Sequence, residues 1–210
     1  MVLSLPDVRN QLEVENMMRS PVFFIFLLFS LSLSHCFSQD KKWSLEVNYP
    51  IPVDNNFVGQ NFLGLFDVGA KYRFLHTDFL NFGAGLNAGI MKFQNEEEFE
   101  YYLLFNYYLQ PKIFAELDIE QLPEFRPFAY AGYSFMIFRA DGTNYTNDLY
   151  YTSESLSGYN FGLGLVYDIA ENFFIQLQYD FTRLKGENRN SASPYNLRVS
   201  LLKAGVGMRL

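Results

Sequence analysis

The chain has 210 residues, a length typical of one domain or two small ones, and 49% of them are hydrophobic. This apolar content excludes an intrinsically disordered chain. The net charge is −7 and no Lys/Arg stripe is present, which argues against a nucleic-acid binder because phosphates need basic partners. A single Cys excludes a disulfide framework and a Cys-based zinc site.

The N-terminal segment has the features of a secretory signal peptide. Arg19 precedes an apolar run over residues 22–33, and small residues lead to Ser38. The run is shorter than the roughly 20 apolar residues that a membrane-spanning helix needs. We therefore predict an upstream extension at 1–16, a signal peptide at 17–38 and a mature domain at 39–210. His35 stands before Cys36, where lipoprotein processing requires a small residue, so a lipid anchor is not expected.

The mature chain alternates between apolar residues and polar or small ones, which is the two-residue period of a β-strand. No segment has convincing helical periodicity. The alternating apolar positions define eight predicted strands, within Trp43–Ile51, Phe66–Phe74, Leu80–Ile90, Leu103–Leu117, Ala129–Ile137, Tyr159–Tyr167, Phe173–Phe181 and Leu202–Leu210. Eight strands joined in order predict an all-β, antiparallel up-and-down barrel.

The two faces of these strands indicate a transmembrane barrel. The apolar faces carry no charge and no amide, whereas the opposite faces are rich in Gly, Asn, Gln and Ser. Small residues suit the narrow interior of an eight-stranded barrel, but they weaken a strand that faces solvent. We therefore favour an outer-membrane barrel, with the apolar faces toward lipid. A secreted soluble barrel that binds a small apolar ligand is the alternative.

The connections alternate in length, as do the outer loops and periplasmic turns of such barrels. Longer connections near 54–61, 94–100, 139–157 and 186–195 alternate with tighter ones at 75–79, 118–125 and 168–172. We interpret the segment 139–157 equally as a surface recognition loop or as a hairpin that extends the barrel wall. Four glutamates within 96–100 could gather divalent cations, although a solvated loop is the preferred interpretation.

The inner faces carry charges of both signs, and unpaired charges there would be costly. The members are Glu46, Asp67, Lys71, Arg73, Lys112, Glu116, Asp180, Lys203 and Arg209. We interpret them as a structural polar network rather than as an ion path. Bulky inner residues are expected to fill the remaining space: Tyr102, Tyr108, Phe114, Phe128, Tyr130 and Phe174. Pro111 lacks an N–H group, so we expect a bulge or a local widening there.

Several segments resemble small outer-membrane β-barrel proteins of the OmpA/OmpX-like type, in the form common in Bacteroidetes. These segments are Trp43–Pro52, Val68–Arg73, Leu109–Glu116, Arg126–Tyr133 and Phe161–Tyr167. The resemblance implies a monomer in outer-membrane lipid and lipopolysaccharide, inserted by the outer-membrane assembly machinery. That machinery reads a last strand that usually ends in an aromatic residue, whereas this chain ends in Leu210.

No catalytic or cofactor site is predicted from the sequence. A lipid-modifying barrel enzyme, the third hypothesis, needs a Ser nucleophile, a His base and an orienting carboxylate. The mature chain has one His, His76, and it lies in a predicted periplasmic turn. Gly83, Gly85, Gly162 and Gly164 lie within strands, so they do not form a dinucleotide-binding loop before a helix. We expect a non-enzymatic protein without cofactor, metal or nucleic-acid partner.

The signal peptide leads to a direct prediction about the exported protein. Cleavage after Ser38 leaves a mature chain that begins at Gln39. Intact-mass measurement of protein purified from outer membranes should give the mass of residues 39–210. A mass that includes residues 22–38 would contradict the prediction.

Overall fold

The computed structural model describes residues 41–94, 102–143, 149–185 and 197–210. The predicted signal peptide and upstream extension, and the acidic run 96–100, lie outside this part of the chain. The strands are β1 (Trp43–Val53), β2 (Phe62–His76), β3 (Leu80–Phe93), β4 (Tyr102–Leu117), β5 (Phe125–Thr143), β6 (Leu149–Asp168), β7 (Phe173–Lys185) and β8 (Arg198–Arg209). One short helix, α1 (Phe57–Asn61), lies between β1 and β2.

The eight strands form a closed barrel, as predicted. Each strand pairs antiparallel with the next, and β8 pairs with β1 from Ser44↔Arg209 to Val53↔Ser200. Closure removes the free sheet edges of the wall except beyond Asn48↔Asp67, where the pairing of β1 with β2 ends. The turns at 77–79, 118–124 and 169–172 define the short-turn end, and the opposite end is called the long-segment end.

Burial alternates along every strand in the sense expected of a membrane barrel. On β7, Leu177 is 51% exposed and its neighbour Gln178 is 1% exposed. Polar residues therefore point inward and apolar residues outward, the reverse of a soluble barrel. Among the described residues, no helix is long and apolar enough to cross a membrane.

Two features of the fold, the strand lengths and a short helix, differ from the sequence prediction, and the structure also decides between the two interpretations of 139–157. The strands are longer than predicted, and β5 and β6 continue together to Thr143↔Leu149. Most of the segment 139–157 is therefore a hairpin that extends the wall, although its tip at 144–148 lies outside the described residues. The helix is α1, which no periodicity indicated; its first turn is capped by Asn56, whose Oδ1 accepts a hydrogen bond from Gly59 N.

Pro111 produces a local interruption rather than a bulge. The pairing of β4 with β5 has the same register at Leu109↔Phe135 and at Lys112↔Gly132, so no residue is inserted between them. No pair with β5 forms at Gln110 or Pro111, while Pro111 still pairs with Leu86 on β3. The missing N–H is thus accommodated by a short gap in the β4–β5 pairing, without an inserted residue.

Inner-facing glycines make room for large inner side chains. A Cβ on Gly83 would lie 2.3 Å from Phe114 Cζ and 2.5 Å from the backbone oxygen of Tyr72. A Cβ on Gly162 would lie 2.1 Å from the Tyr130 hydroxyl. The narrow interior therefore packs large residues of one strand against glycines of the next.

Two glycines on β3 provide a matched test of this packing. Gly83→Ala should destabilise the barrel by about 1–3 kcal/mol, because its Cβ would overlap a ring and a backbone oxygen. Gly85→Ala should cost less than about 1 kcal/mol, since its Cβ would meet nothing closer than 3.3 Å and would need shifts of only a few tenths of an ångström. Urea unfolding in lipid vesicles would measure both. Equal losses in the two variants would contradict the packing argument.

Candidate functional site: the polar interior of the barrel

An ion-paired lysine lies at the centre of the interior. Lys203 on β8 is 0% exposed, and its Nζ lies 3.0 Å from Asp67 Oδ2 and 3.1 Å from Asp180 Oδ2. The same Nζ donates a hydrogen bond to Gln110 Oε1 at 2.8 Å. Two carboxylates and an amide oxygen thus surround one buried ammonium group. This arrangement offsets the desolvation of all three charges.

Asp67 is the most highly bonded group of the interior. Its Oδ1 accepts from Asn48 Nδ2 at 2.8 Å and from Asn87 Nδ2 at 2.7 Å. Its Oδ2 accepts from the Tyr108 hydroxyl at 2.9 Å as well as from Lys203. Four donors from four different strands therefore converge on one carboxylate. Such charge-assisted bonds are stronger than those between neutral groups.

A second ion pair lies next to this centre. Lys71 Nζ is 2.7 Å from Glu46 Oε2 and donates to Gln176 Oε1 at 3.2 Å. Asn87 Nδ2 also approaches Glu46 Oε1 at 3.0 Å, so this one amide joins the Glu46 and Asp67 clusters. Lys71 Nζ lies 4.3 Å from the centroid of the Phe128 ring, which adds a cation–π contact.

Arginines and carboxylates form a third layer at the short-turn end. Arg73 donates two hydrogen bonds to Glu116, at 3.1 and 3.0 Å, and a third to Ser44 Oγ at 2.7 Å. Arg209 Nη1 lies 2.6 Å from Asp168 Oδ1, and Arg126 Nε lies 3.2 Å from Asp168 Oδ2. The two-pronged guanidinium–carboxylate geometry fixes both partners in orientation.

Lys112 differs from the other inner cations. It is buried, and its Nζ lies 4.4 Å from the centroid of the Tyr130 ring. Among the described residues, no carboxylate oxygen lies within ion-pair distance of this ammonium group. The structure therefore places all nine predicted residues inside the barrel and joins eight of them in ion pairs.

Apolar side chains pack against one another at the long-segment end of the interior. Val58 of α1 packs with buried residues from several strands, and the partly buried Phe57 and Phe138 lie against them. The buried members are Val58, Phe62, Met91, Tyr108, Met136, Leu184, Val199 and Leu201. Phe62 contacts Phe93 and Phe138 edge to face, with ring centroids 5.5 and 5.9 Å apart. We call this group the mouth cluster.

A family model for the outer membrane protein beta-barrel domain matches residues 23–209. The chain belongs to this outer membrane protein beta-barrel family. The polar interior, the apolar exterior and the closed wall of the structure agree with that membership. The predicted location in the outer membrane and the predicted fold are therefore confirmed.

Solved structures share the fold of this outer-membrane barrel at low sequence identity. A major outer membrane protein from Thermus thermophilus aligns with a TM-score of 0.62 and 14% identity, over 80% of this chain and 99% of that chain. Ail, the attachment invasion locus protein of Yersinia pestis, aligns with a TM-score of 0.55 and 14% identity, over 80% of this chain and 97% of that chain. Neisserial surface protein A aligns with a TM-score of 0.52 and 15% identity, over 81% of this chain and 98% of that chain. Comparison with curated proteins gives no significant match.

Sequence reasoning missed part of the barrel's polar interior. Arg126 and Asp168 join the layer at the short-turn end, although the predicted alternation on β5 began only at Phe128. Extending that alternation back by two residues would have placed Arg126 on the inner face. Tyr108 was expected as a space filler, and its hydroxyl also donates to Asp67. The side chain of Tyr102 lies outside the described part.

The interior of this barrel does not present the catalytic arrangement of the third hypothesis in the part of the chain that is described. His76 lies at the end of β2, and its Nδ1 contacts Asn81 Oδ1 rather than a Ser hydroxyl or a carboxylate. Among the same residues, no group of three His, Cys, Asp or Glu side chains could hold a metal ion.

Two inner lysines provide a matched test of the polar interior. Lys203→Met should destabilise the barrel by about 3–5 kcal/mol, because it leaves Asp67 and Asp180 buried without their cation. Lys112→Met should lower the free energy of unfolding by roughly 1 kcal/mol, since it removes a cation–π contact and leaves no carboxylate without its ion-pair partner. Urea unfolding in lipid vesicles compares the two. A larger loss for Lys112→Met would contradict the assignment of Lys203 as the central cation.

Proposed function

We propose that this protein is a non-enzymatic outer-membrane barrel with a plugged lumen, which serves structural or surface-interaction roles. The proposal rests on two barriers to ions that follow one another along the interior. The mouth cluster occupies the long-segment end, and the paired charges around Lys203 and Arg73 follow toward the short-turn end. An ion would have to cross both an apolar constriction and a set of neutralised charges.

The strand number supports the same conclusion. An eight-stranded barrel encloses only enough space for side chains, whereas aqueous channels need about sixteen strands. Five of the predicted bulky residues are buried here: Tyr108, Phe114, Phe128, Tyr130 and Phe174. A continuous wet row of one charge sign, which would favour an ion path, does not occur among the described inner residues.

The surface-interaction part of the proposal is supported by the β5–β6 hairpin. Pairing of β6 with β7 ends at Ser157↔Lys185, whereas pairing of β6 with β5 continues to Thr143↔Leu149. The hairpin therefore extends past β7 in the described residues, while β4 accompanies β5 up to Tyr102↔Gly142. We propose that this long-segment end faces the cell exterior, where a projecting hairpin is accessible to other molecules.

We expect the barrel to act as a monomer that contacts outer-membrane lipid and lipopolysaccharide. Its outer surface is largely apolar, with Phe74 and Tyr167 exposed near the ends of β2 and β6. Aromatic side chains near the ends of strands suit the two interfaces of a bilayer. Insertion by the outer-membrane assembly machinery is the expected route.

Conductance measurement tests the plugged lumen. Purified protein, shown to be folded by its altered gel migration before boiling, is added to a planar bilayer. No stable, ohmic open state should appear, because the interior is filled and its charges are paired. A sixteen-stranded porin in the same bilayer is the positive control. Reproducible single-channel steps of porin size would contradict both the plugged lumen and the structural role of the inner charges.

A further inference from the structure

Three outward-facing cations lie together at the long-segment end of β7 and β8. Arg183, Lys185 and Arg198 are all exposed, and Arg183 and Arg198 are direct register partners. We infer that these three residues form an external binding site for the phosphate group of a phosphorylated lipid in the outer leaflet. The inference deepens the proposed function, since it rests on the long-segment end facing the cell exterior.

The height of the three cations corresponds to a bilayer interface. Phe173↔Met208 and Arg183↔Arg198 are the two ends of the β7–β8 ladder. A strand tilted by about 40° rises roughly 2.5 Å per residue along the membrane normal, so the two pairs differ in height by about 25 Å. The apolar band of outer-membrane barrels is also about 25 Å tall. The arginines therefore lie where lipid headgroups carry their phosphates.

The arrangement of the arginines favours an anion between them. Directly opposed residues on neighbouring antiparallel strands have Cβ atoms about 5 Å apart, and like charges in that position repel. Among the described residues, neither Arg183 nor Arg198 has a carboxylate within ion-pair distance. A phosphate that accepts hydrogen bonds from both guanidinium groups would convert this repulsion into attraction.

Neighbouring aromatic residues complete the site. Arg183 is the register partner of Tyr159 on β6, and Lys185 Nζ lies 4.7 Å from the centroid of the Tyr159 ring. Tyr159 in turn contacts Tyr133 edge to face at 5.5 Å. Tyrosine rings at this height are typical of the headgroup region. The contact with Tyr159 places Lys185, the third cation, beside Arg183.

The wall below the cations suits an acyl chain. Tyr179 and Leu177 continue down the outer face of β7, and Ala204 and Val206 do so on β8. The register pairs Tyr179↔Leu202 and Leu177↔Ala204 lie below Arg183↔Arg198, so the outer wall beneath the arginines is apolar. A lipid fits this combination better than free phosphate, because its phosphate contacts the cations while its acyl chain contacts the apolar wall.

The other outward cations at this end are a natural comparison. Lys92 on β3 and Arg139 on β5 flank Phe105 in the same register row. Both already take part in an interaction with another group. They therefore provide a control pair of equal charge at a similar height that is not expected to bind phosphate in the same way.

Native mass spectrometry of the folded protein in detergent tests the inference. The probes are phosphorylated lipid A, the same lipid after removal of its phosphates, and inorganic phosphate as a competitor. The unmodified protein should retain phosphorylated lipid A at least about tenfold more tightly than the dephosphorylated form, the change expected from charge-assisted hydrogen bonds. Inorganic phosphate at millimolar concentration should not displace the lipid.

Variants locate the site on the barrel. Arg183→Gln with Arg198→Gln should weaken binding of phosphorylated lipid A roughly tenfold or more, while Lys92→Gln with Arg139→Gln should change it less than about twofold. Gel migration before boiling confirms that each variant is folded, and the single arginine variants should show intermediate losses. Equal losses in both pairs, or equal binding of dephosphorylated lipid, would overturn the inference. Displacement by inorganic phosphate would assign the cations to free phosphate instead. Lipid binding in detergent is measured without regard to which end of the barrel faces the cell exterior, so the lipid site and the proposed orientation can fail separately.

Discussion

The pairing of buried charges in a narrow, closed interior is the constraint on which this structure depends. A closed wall gives the backbone N–H and C=O groups hydrogen-bond partners in lipid. It also points every second side chain into an interior that has little room for water. Lys203 can be buried there only because Asp67 and Asp180 are buried with it. Asp67 in turn needs its amide and hydroxyl donors. The network therefore links distant strands and fixes how they face one another.

The same interior is shaped by size as well as by charge. Gly83 and Gly162 remove side chains from one strand where Phe114 and Tyr130 project from the next. These rings then border Arg73 and Lys112, with centroid distances of 6.0 and 4.4 Å. Each glycine thus affects a cation that it does not contact, because it makes space for the aromatic ring that contacts that cation. Packing and electrostatics in this barrel are consequently not independent of each other.

Much of the fold could be predicted from the sequence because one rule, a period of two residues, sets both strand position and side-chain face. That rule placed Asp67 and Lys203 on the inner side without any knowledge of their partners. It could not tell Lys203 from Lys112, since both occupy inner positions and only the tertiary register decides which one meets carboxylates. It also could not predict α1 or the mouth cluster, because Val58 lies in a connection where no period applies. It left 139–157 open between a surface loop and a hairpin that extends the wall, because polar residues interrupt the alternation there, and the pairing of β5 with β6 decides for the hairpin.

The contrast between inner and outer cations suggests where the chemistry of this protein remains available. Arg73 and Arg209 are held by Glu116 and Asp168, so their charge is used within the fold. Arg183 and Arg198 oppose each other on the outside and have no such partner among the described residues. In a protein that neutralises its interior charges so thoroughly, exposed and opposed arginines are costly unless something outside neutralises them. The interior therefore accounts for stability, and the outer rim and the projecting hairpin are the parts of the barrel left to interact with its surroundings.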